Sequence, residues 1–372
     1  MPQSKTILLA GGGTGGHLYP GIAVAEALVK VMPGVRCLFL CTKKEIDKRI
    51  LDGTPFKFIQ QPIVPPVTSI GGLLKFWKAW RETKDLVKQV IRDEEPVACI
   101  GLGGYAAGVG VEQASKRKIA TAILNPDVIP GKANRYLMKH SRYVCCQFQA
   151  TASRVDAGNQ EKLVFTGCPI RDDIRKLPPK DQAAKRLGLD PNLRTLMVTG
   201  ASLGAQTVNE AVITMLASIK VQGWQILHLS GRDHADAVRA GYRELKMTNA
   251  RVVDFTPAMA DVWAVSDLAI SRSGASSCAE LTACGVPSIL MPYPFHKDMH
   301  QRANAKVLAD AGAAFLVDDE KDRRKNSDKI KPLVEMLLYD GNKRAEMAKA
   351  AKNLGKPDAA EQVAQVVMRM IK

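Results

Sequence analysis

Thr6-Ile7-Leu8-Leu9-Ala10-Gly11-Gly12-Gly13-Thr14-Gly15-Gly16-His17, continued by Leu18-Tyr19-Pro20-Gly21, is the stretch on which the fold turns. A short apolar run breaks into glycines, and from about Gly21 to Val31 apolar residues recur at helical spacing. A strand, a glycine turn and a helix in that order open an α/β unit of the doubly wound kind. Glycine lets the backbone turn tightly and approach an anionic group, and the helix N-terminus adds positive potential there. Gly11, Gly13 and Gly16 have the GxGxxG spacing of dinucleotide sites, but Arg36–Cys41 runs into Thr42-Lys43-Lys44, with no acidic residue clearly placed to hold an adenine ribose. No Gly-Lys-Ser/Thr follows the turn, which excludes a Walker A loop. His17, at the mouth of the helix, can accept a proton near neutrality. Its other reading is a histidine that caps its own loop.

Outward from that turn, the chain alternates strand and helix, the pattern of parallel sheets covered by helices. Arg36–Cys41, Val97–Leu102, Thr121–Leu124 and Tyr143–Gln147 read as further strands. A second series begins at Thr195–Thr199, which runs into Gly200-Ala201-Ser202-Leu203-Gly204-Ala205 and a helix from about Val208. Gln225–Leu229, Arg251–Asp254, Leu268–Ser271 and Pro287–Met291 continue it. The plan thus occurs twice. The expected domains are 1–168 and 169–345, with 346–372 a helical tail packing back on the first.

The 372 residues carry 53 Lys+Arg against 37 Asp+Glu, a formal charge of +16. Residues 1–165 hold 23 Lys+Arg and 13 Asp+Glu, so the first half is the more basic. Such a charge suits nucleic acid, an anionic membrane or a phosphorylated ligand. No apolar run approaches the ~20 residues of a membrane-spanning helix, and no signal-peptide core is visible, so a cytoplasmic location is expected. The eight cysteines lie among apolar residues without zinc spacing and read as reduced buried thiols.

Three more segments carry potential chemistry. Gly200–Ala205 is a second strand-to-helix turn whose N–H groups and Ser202 hydroxyl suit a phosphate. Arg272-Ser273-Gly274-Ala275-Ser276-Ser277-Cys278-Ala279-Glu280 enters a helix of small residues, where Glu280 is either a solvated charge or an acceptor for ribose hydroxyls. Pro292-Tyr293-Pro294-Phe295-His296-Lys297-Asp298-Met299-His300-Gln301-Arg302-Ala303-Asn304 crowds donors and acceptors into a loop after an apolar strand.

Together these segments resemble the MurG-type glycosyltransferases. Gly12–His17 with Pro20-Gly21 is similar to that family's first loop, and Gly101-Leu102-Gly103-Gly104-Tyr105 to its second. Gly200–Ala205 with Asn209 resembles its GGSQGA loop, Arg272–Glu280 its RSGA…E segment, and His296–Asn304 its HKD…QQ…NA segment. The resemblance spans most of residues 6–320.

The resemblance implies an α/β fold of GT-B type, two Rossmann-like domains facing across a cleft, with the donor in the C-terminal one. The implied reaction is an inverting transfer of N-acetylglucosamine from UDP-GlcNAc to the muramoyl 4-hydroxyl of undecaprenyl-diphospho-MurNAc-pentapeptide (lipid I). The product is lipid II, for peptidoglycan synthesis and thereby cell shape and division. His17 is the implied base. Thr14, Gly15, Gly16, Arg171 (in Gly167-Cys168-Pro169-Ile170-Arg171), Ser202, Gly204, Ala205, Glu280, His300 and Gln301 are implied on the donor side. Gly13, Gly104, Tyr105 and Asp127 are implied on the acceptor side. No cofactor and no metal ligands are expected, on the resemblance and on the lack of a DxD-like carboxylate pair in these motifs.

The chain departs from the family at Asn125-Pro126-Asp127-Val128-Ile129-Pro130-Gly131, at Leu203 in place of glutamine, and at His300 in place of the first glutamine of the QQ pair. The first change lies in the acceptor half, where Asp127 is a candidate to take over a polar role. Leu73, Phe76, Trp77 and Trp80 stand among Lys75, Lys78, Arg81, Lys84 and Lys88, a pattern for a helix lying at an anionic lipid surface. The other reading anchors those aromatics in the core. A peripheral place on the cytoplasmic face of the cell membrane, beside a cell-wall synthesis complex, follows from the resemblance. Two alternatives stand beside it: a related transferase acting on another lipid such as diacylglycerol, and a non-catalytic nucleotide- or nucleic-acid-binding protein. The latter lacks any recognisable nucleic-acid motif.

Overall fold

Every residue of β1 (Thr6–Gly11) is buried, as a central parallel strand covered on both faces must be. Its side chains alternate: Ile7 and Leu9 enter one apolar cluster, Leu8 and Ala10 the other. In the computed structural model, which describes residues 5–66, 69–201 and 204–371, the chain divides into two units. The first is Met1–Arg171 with Pro357–Lys372, the second Asp172–Lys356.

The first unit continues with β2 (Arg36–Thr42), β3 (Lys57–Gln61), β4 (Ala98–Gly103), β5 (Ala120–Asn125), β6 (Tyr143–Cys146) and β7 (Leu163–Val164). Its sheet is parallel in the order β3-β2-β1-β4-β5-β6-β7. The second unit holds β8 (Arg194–Thr199), β9 (Trp224–Leu229), β10 (Ala250–Val253), β11 (Ser266–Ser271), β12 (Ser288–Leu290) and β13 (Ala314–Leu316). Its sheet is also parallel, in the order β10-β9-β8-β11-β12-β13. Each sheet grows in one direction and then reverses, at β1/β4 and at β8/β11. Crevices at such switch points, beyond the strands' carboxyl ends, are where doubly wound folds bind ligands. The glycine turns follow those four strands.

The two-unit α/β expectation holds, with three corrections. The first helix runs Gly15–Val31, starting inside the glycine stretch and not at Gly21. Thr14 stands at its N-cap and its carbonyl accepts from His17 N and Leu18 N. Gly21 has to be glycine, since a Cβ there would lie 2.4 Å from Leu102. Second, β3, β7 and β13 were missed. Third, the expected tail 346–372 is divided. Residues up to Leu354 belong to the helix Gly341–Leu354 of the second unit, packed on the helix Ala275–Cys284. Only the helix Ala359–Met370 returns, because Ala360, Val363, Ala364, Val367 and Met370 complete the first unit's core against the helix Gly15–Val31. The boundary falls after Arg171, three residues beyond the expected one.

Seven cysteines are buried and Cys284 is half-buried, all free. Burial pushes the thiols of Cys37, Cys41, Cys99, Cys145, Cys146 and Cys284 up to about 12, which leaves them protonated at neutrality. Among the described residues no helix is long and apolar enough to cross a membrane.

Candidate functional site

In the first unit, the turn after β1 is built around a carboxylate. Asp47, in the helix Glu45–Asp52, is fully buried and accepts from Gly13 N with both oxygens at 2.8 Å. Its Oδ2 also accepts from Thr42 N at 2.9 Å and Thr42 Oγ1 at 2.7 Å. Gly12 has φ +151, and a Cβ on it would lie 2.3 Å from Asp47 Oδ2. Lys44 Nζ donates to Gly13 O at 3.2 Å. The carboxylate sought at the end of the second strand therefore exists, five residues beyond Thr42, and it holds the loop instead of a ribose. Asp47 was missed because Glu45-Ile46-Asp47-Lys48-Arg49 reads as a solvated helix.

His17 lies over the turn after β4: Cβ atoms on Gly103 and Gly104 would meet its ring at 3.1 and 2.9 Å. Both glycines have positive φ, +104 and +70. The two turns of the switch point thus close on one imidazole. Its Nδ1 lies 3.1 Å from Gly12 O and 3.3 Å from Thr14 Oγ1. A carbonyl only accepts, so Nδ1 carries the proton and Nε2 keeps its lone pair. Burial lowers the imidazole pKa from 6.5, against smaller opposite effects from the Gly12 carbonyl, Asp127 and Asp47. At neutral pH His17 is a neutral base.

The remaining first-unit candidates gather nearby. A Cβ on Gly13 would lie 3.5 Å from the Tyr105 hydroxyl, whose pKa is raised by burial and by Asp47. Thr14 and Gly16 are exposed and Gly15 half-buried at the helix start. Asp127 is half-buried; its carbonyl accepts from Asn125 Nδ2 at 2.9 Å. Asn125 Oδ1 accepts in turn from the buried Asn134 Nδ2 at 3.0 Å. Asn134, another residue missed, thereby fixes the loop that departs from the family pattern. Arg171 lies over the Tyr19 ring, 5.0 Å from its centroid.

The second unit's turn after β8 is held differently. Gly204 has φ +75, and a Cβ on it would fall 2.1 Å from Ser230 O. Asn209, on the helix Gln206–Leu216, donates from Nδ2 to that same Ser230 O at 3.0 Å. Its Oδ1 accepts from His228 Nε2 at 3.0 Å, and His228 Nδ1 accepts from Tyr242 OH at 2.9 Å. Complete burial drives the His228 pKa down to about 3, so this brace is neutral. Ala205 is the N-cap of that helix. Ser202 and Leu203 lie outside the described residues.

After β11, Arg272 is buried, with Nη1 on Met291 O and Pro292 O at 2.9 Å each and Nη2 on Thr207 Oγ1 at 2.7 Å. Asp319 pairs with Nη1 at 2.8 Å. The motif's arginine is an internal tie between the β8 and β12 turns. Ser273 Oγ donates to Gln301 O at 2.9 Å, and Asn304 Nδ2 to Ser273 O at 3.2 Å. Gln301 Oε1 accepts from Tyr293 N at 3.0 Å. Glu280 is half-buried and its Oε2 accepts from Trp263 Nε1 at 2.7 Å. His300 opens the helix His300–Asp310. Gly204, Ala205, Glu280, His300 and Gln301 thus belong to the second unit, while Thr14, Gly15, Gly16 and Arg171 belong to the first.

The aromatic-basic helix, Ile70–Glu94, divides its large apolar side chains between core and solvent. Phe76 and Trp80 turn inward onto the core, where a Cβ on Gly108 would lie 2.8 Å from the Trp80 ring. Leu73, Leu74 and Trp77 are 43%, 68% and 62% exposed. For Phe76 and Trp80 the anchoring reading is the right one.

Residues 7–145 match the glycosyltransferase family 28 N-terminal domain and residues 195–363 its C-terminal domain. A UDP-N-acetylglucosamine--N-acetylmuramyl-(pentapeptide) pyrophosphoryl-undecaprenol N-acetylglucosamine transferase of Bacillus licheniformis is 33% identical over 370 residues, 98% of each chain. Its namesake in Lacticaseibacillus casei is 33% identical over 371 residues, again 98% of each. Among solved structures, MurG of Acinetobacter baumannii superposes with a TM-score of 0.76 at 26% identity, over 98% of this chain and 100% of that one. Both domain matches, in the order of the two Rossmann-like units, and relatives of full length place this chain in glycosyltransferase family 28.

Proposed function

We propose that the chain transfers N-acetylglucosamine from UDP-GlcNAc to the 4-hydroxyl of the muramoyl residue of lipid I, giving lipid II with inversion at the anomeric carbon. The observation that carries the reading is the His17 imidazole, with Nδ1–H committed to Gly12 O and Nε2 left basic. Nε2 takes the hydroxyl proton as the oxygen attacks the anomeric carbon. The bond from that carbon to the diphosphate breaks, and its electron pair leaves with UDP. The N-terminus of the helix Gln206–Leu216 stabilises the leaving charge, with no metal assigned to the step. Glu280, oriented by Trp263, accepts from the ribose hydroxyls. Support for the donor and acceptor comes from relatives that share nearly the whole length of the chain and whose names give UDP-N-acetylglucosamine and N-acetylmuramyl-(pentapeptide) pyrophosphoryl-undecaprenol.

The acceptor is lipid-linked, which favours a peripheral position on the cytoplasmic face of the membrane. Leu73, Leu74 and Trp77, beside the exposed Lys75, Lys78 and Arg81, are the surface suited to it. Vesicle binding that falls with added salt and with Trp77→Ala supports this docking; binding unchanged by both contradicts it.

Incubation with UDP-GlcNAc and a lipid I analogue tests the activity. The expected result is one disaccharide product per UDP released. Turnover with diacylglycerol alone would move the reading to another lipid acceptor, and no UDP release with either would overturn it.

A further inference from the structure

The loop before the helix His300–Asp310 brings together three side chains that the transfer reaction does not require as a set. His296 Nδ1 and His300 Nε2 lie 3.1 Å apart, and the ring centroids are separated by 4.4 Å. On the other side of His300, Nδ1 lies 2.7 Å from Asp298 Oδ1. Ligand atoms from His296, Asp298 and His300 all fall within 4.8 Å of one another. The backbone holds the arrangement: Met299 N donates to His296 O at 3.2 Å, and Met299 itself has φ +51 at the N-cap.

This is the geometry of a small cation site. Two imidazole nitrogens bound to one tetrahedral ion at roughly 2.0–2.1 Å stand about 3.3 Å apart, so the pair has to open by only a few tenths of an ångström. Asp298 fixes the required tautomer. With the Nδ1 proton directed at the carboxylate, His300 presents the Nε2 lone pair towards His296. A carboxylate behind a ligating histidine is the usual outer support of such sites.

We propose that His296 and His300, with Asp298 behind His300, form a site for one divalent transition cation of the zinc, cobalt or nickel class. Two imidazole ligands select that class over magnesium and calcium, which prefer oxygen. His300 replaces a glutamine of the family pattern, so the second imidazole is a feature of this chain. The cation also has a consequence that rests on the donor-site reading: while His300 holds it, the imidazole is withdrawn from the donor sugar, so cation and UDP-GlcNAc compete.

Calorimetric titration of the full chain with ZnCl2, and the visible absorption of its Co2+ form, test the site. One Zn2+ per chain is expected, undisturbed by excess Mg2+. Asp298→Asn should weaken it about 10- to 100-fold, as loss of an outer-shell partner does, and His300→Gln and His296→Gln at least as much. Circular dichroism shows whether each variant is folded, and a variant that is not leaves the other two to decide. Binding unaltered in the folded variants, or absent from the parent chain, overturns the site and leaves the transferase reading intact. Zn2+ binding that is lost in the variants but indifferent to UDP-GlcNAc keeps the site and overturns the competition.

Discussion

The turns after β1 and β8 occupy the same place in two sheets of like strand order, yet they are built from different chemistry. The first is gripped by the buried Asp47 carboxylate and carries a basic imidazole over Gly103 and Gly104. The second is braced by Asn209, His228 and Tyr242, all neutral, with backbone packed on backbone at Gly204. A switch point specifies where a ligand sits. On the proposed function, what fills the turn decides whether it receives a proton or an anion.

The sharpest way to break this contrast is His17→Ala. Loss of a general base should lower turnover about 10²- to 10⁴-fold, with UDP binding by calorimetry unchanged; normal turnover would erase the difference between the turns. Next, Asp47→Asn directs an amide N–H at donors that need an acceptor. It should cost about 2 kcal/mol in denaturant unfolding, where an unchanged midpoint would show that the loop does not depend on the carboxylate. Gly204→Ala probes the other turn. A side chain at φ +75 that points at Ser230 O should cost roughly 1–3 kcal/mol and weaken UDP binding; wild-type affinity would mean that the turn adapts.

The smallest effect concerns the neutral brace. His228 has a folded pKa of about 3, below its unfolded value near 6.5. The unfolded chain therefore holds a proton that the folded chain refuses between those values. Its contribution is fully present above pH 6.5 and is lost as pH falls, by about 1.4 kcal/mol per pH unit. His228→Gln should flatten the fall in stability between pH 6.5 and 4; an identical slope in the variant would contradict the assignment.

What could be read in the chain was what glycine makes visible. A Cβ would run into the Asp47 carboxylate at Gly12, the Leu102 side chain at Gly21 and the Ser230 carbonyl at Gly204, so the turns and their parent strands stand out. The partners that hold the turns do not. Asp47 lies in a helix whose neighbours are charged; Asn209 came into view only through the family resemblance, and its partner His228 is distant in sequence and gives no local pattern. β3, Lys-Phe-Ile-Gln-Gln, is too polar to read as a strand, although Gln61 is buried and donates to Leu40 O and Ala106 O. The aromatic cluster offered no finer signal. Leu73, Phe76, Trp77 and Trp80 stand at i, i+3, i+4 and i+7 and share one helical face, so periodicity alone does not tell the inward pair from the outward one. The grouping of His296, Asp298 and His300 needed the Met299 turn, which spacing alone does not reveal.

The central claim is that His17 supplies the base. The direct measurement is the pH dependence of kcat/KM for the transfer to a lipid I analogue, in the parent chain and in His17→Ala. Since burial lowers the His17 pKa, the account predicts an acid limb with an apparent pKa below 6.5, full activity at neutrality, and no such limb in the residual activity of the variant. An acid limb that persists unchanged in His17→Ala, or one centred above 6.5, would contradict it.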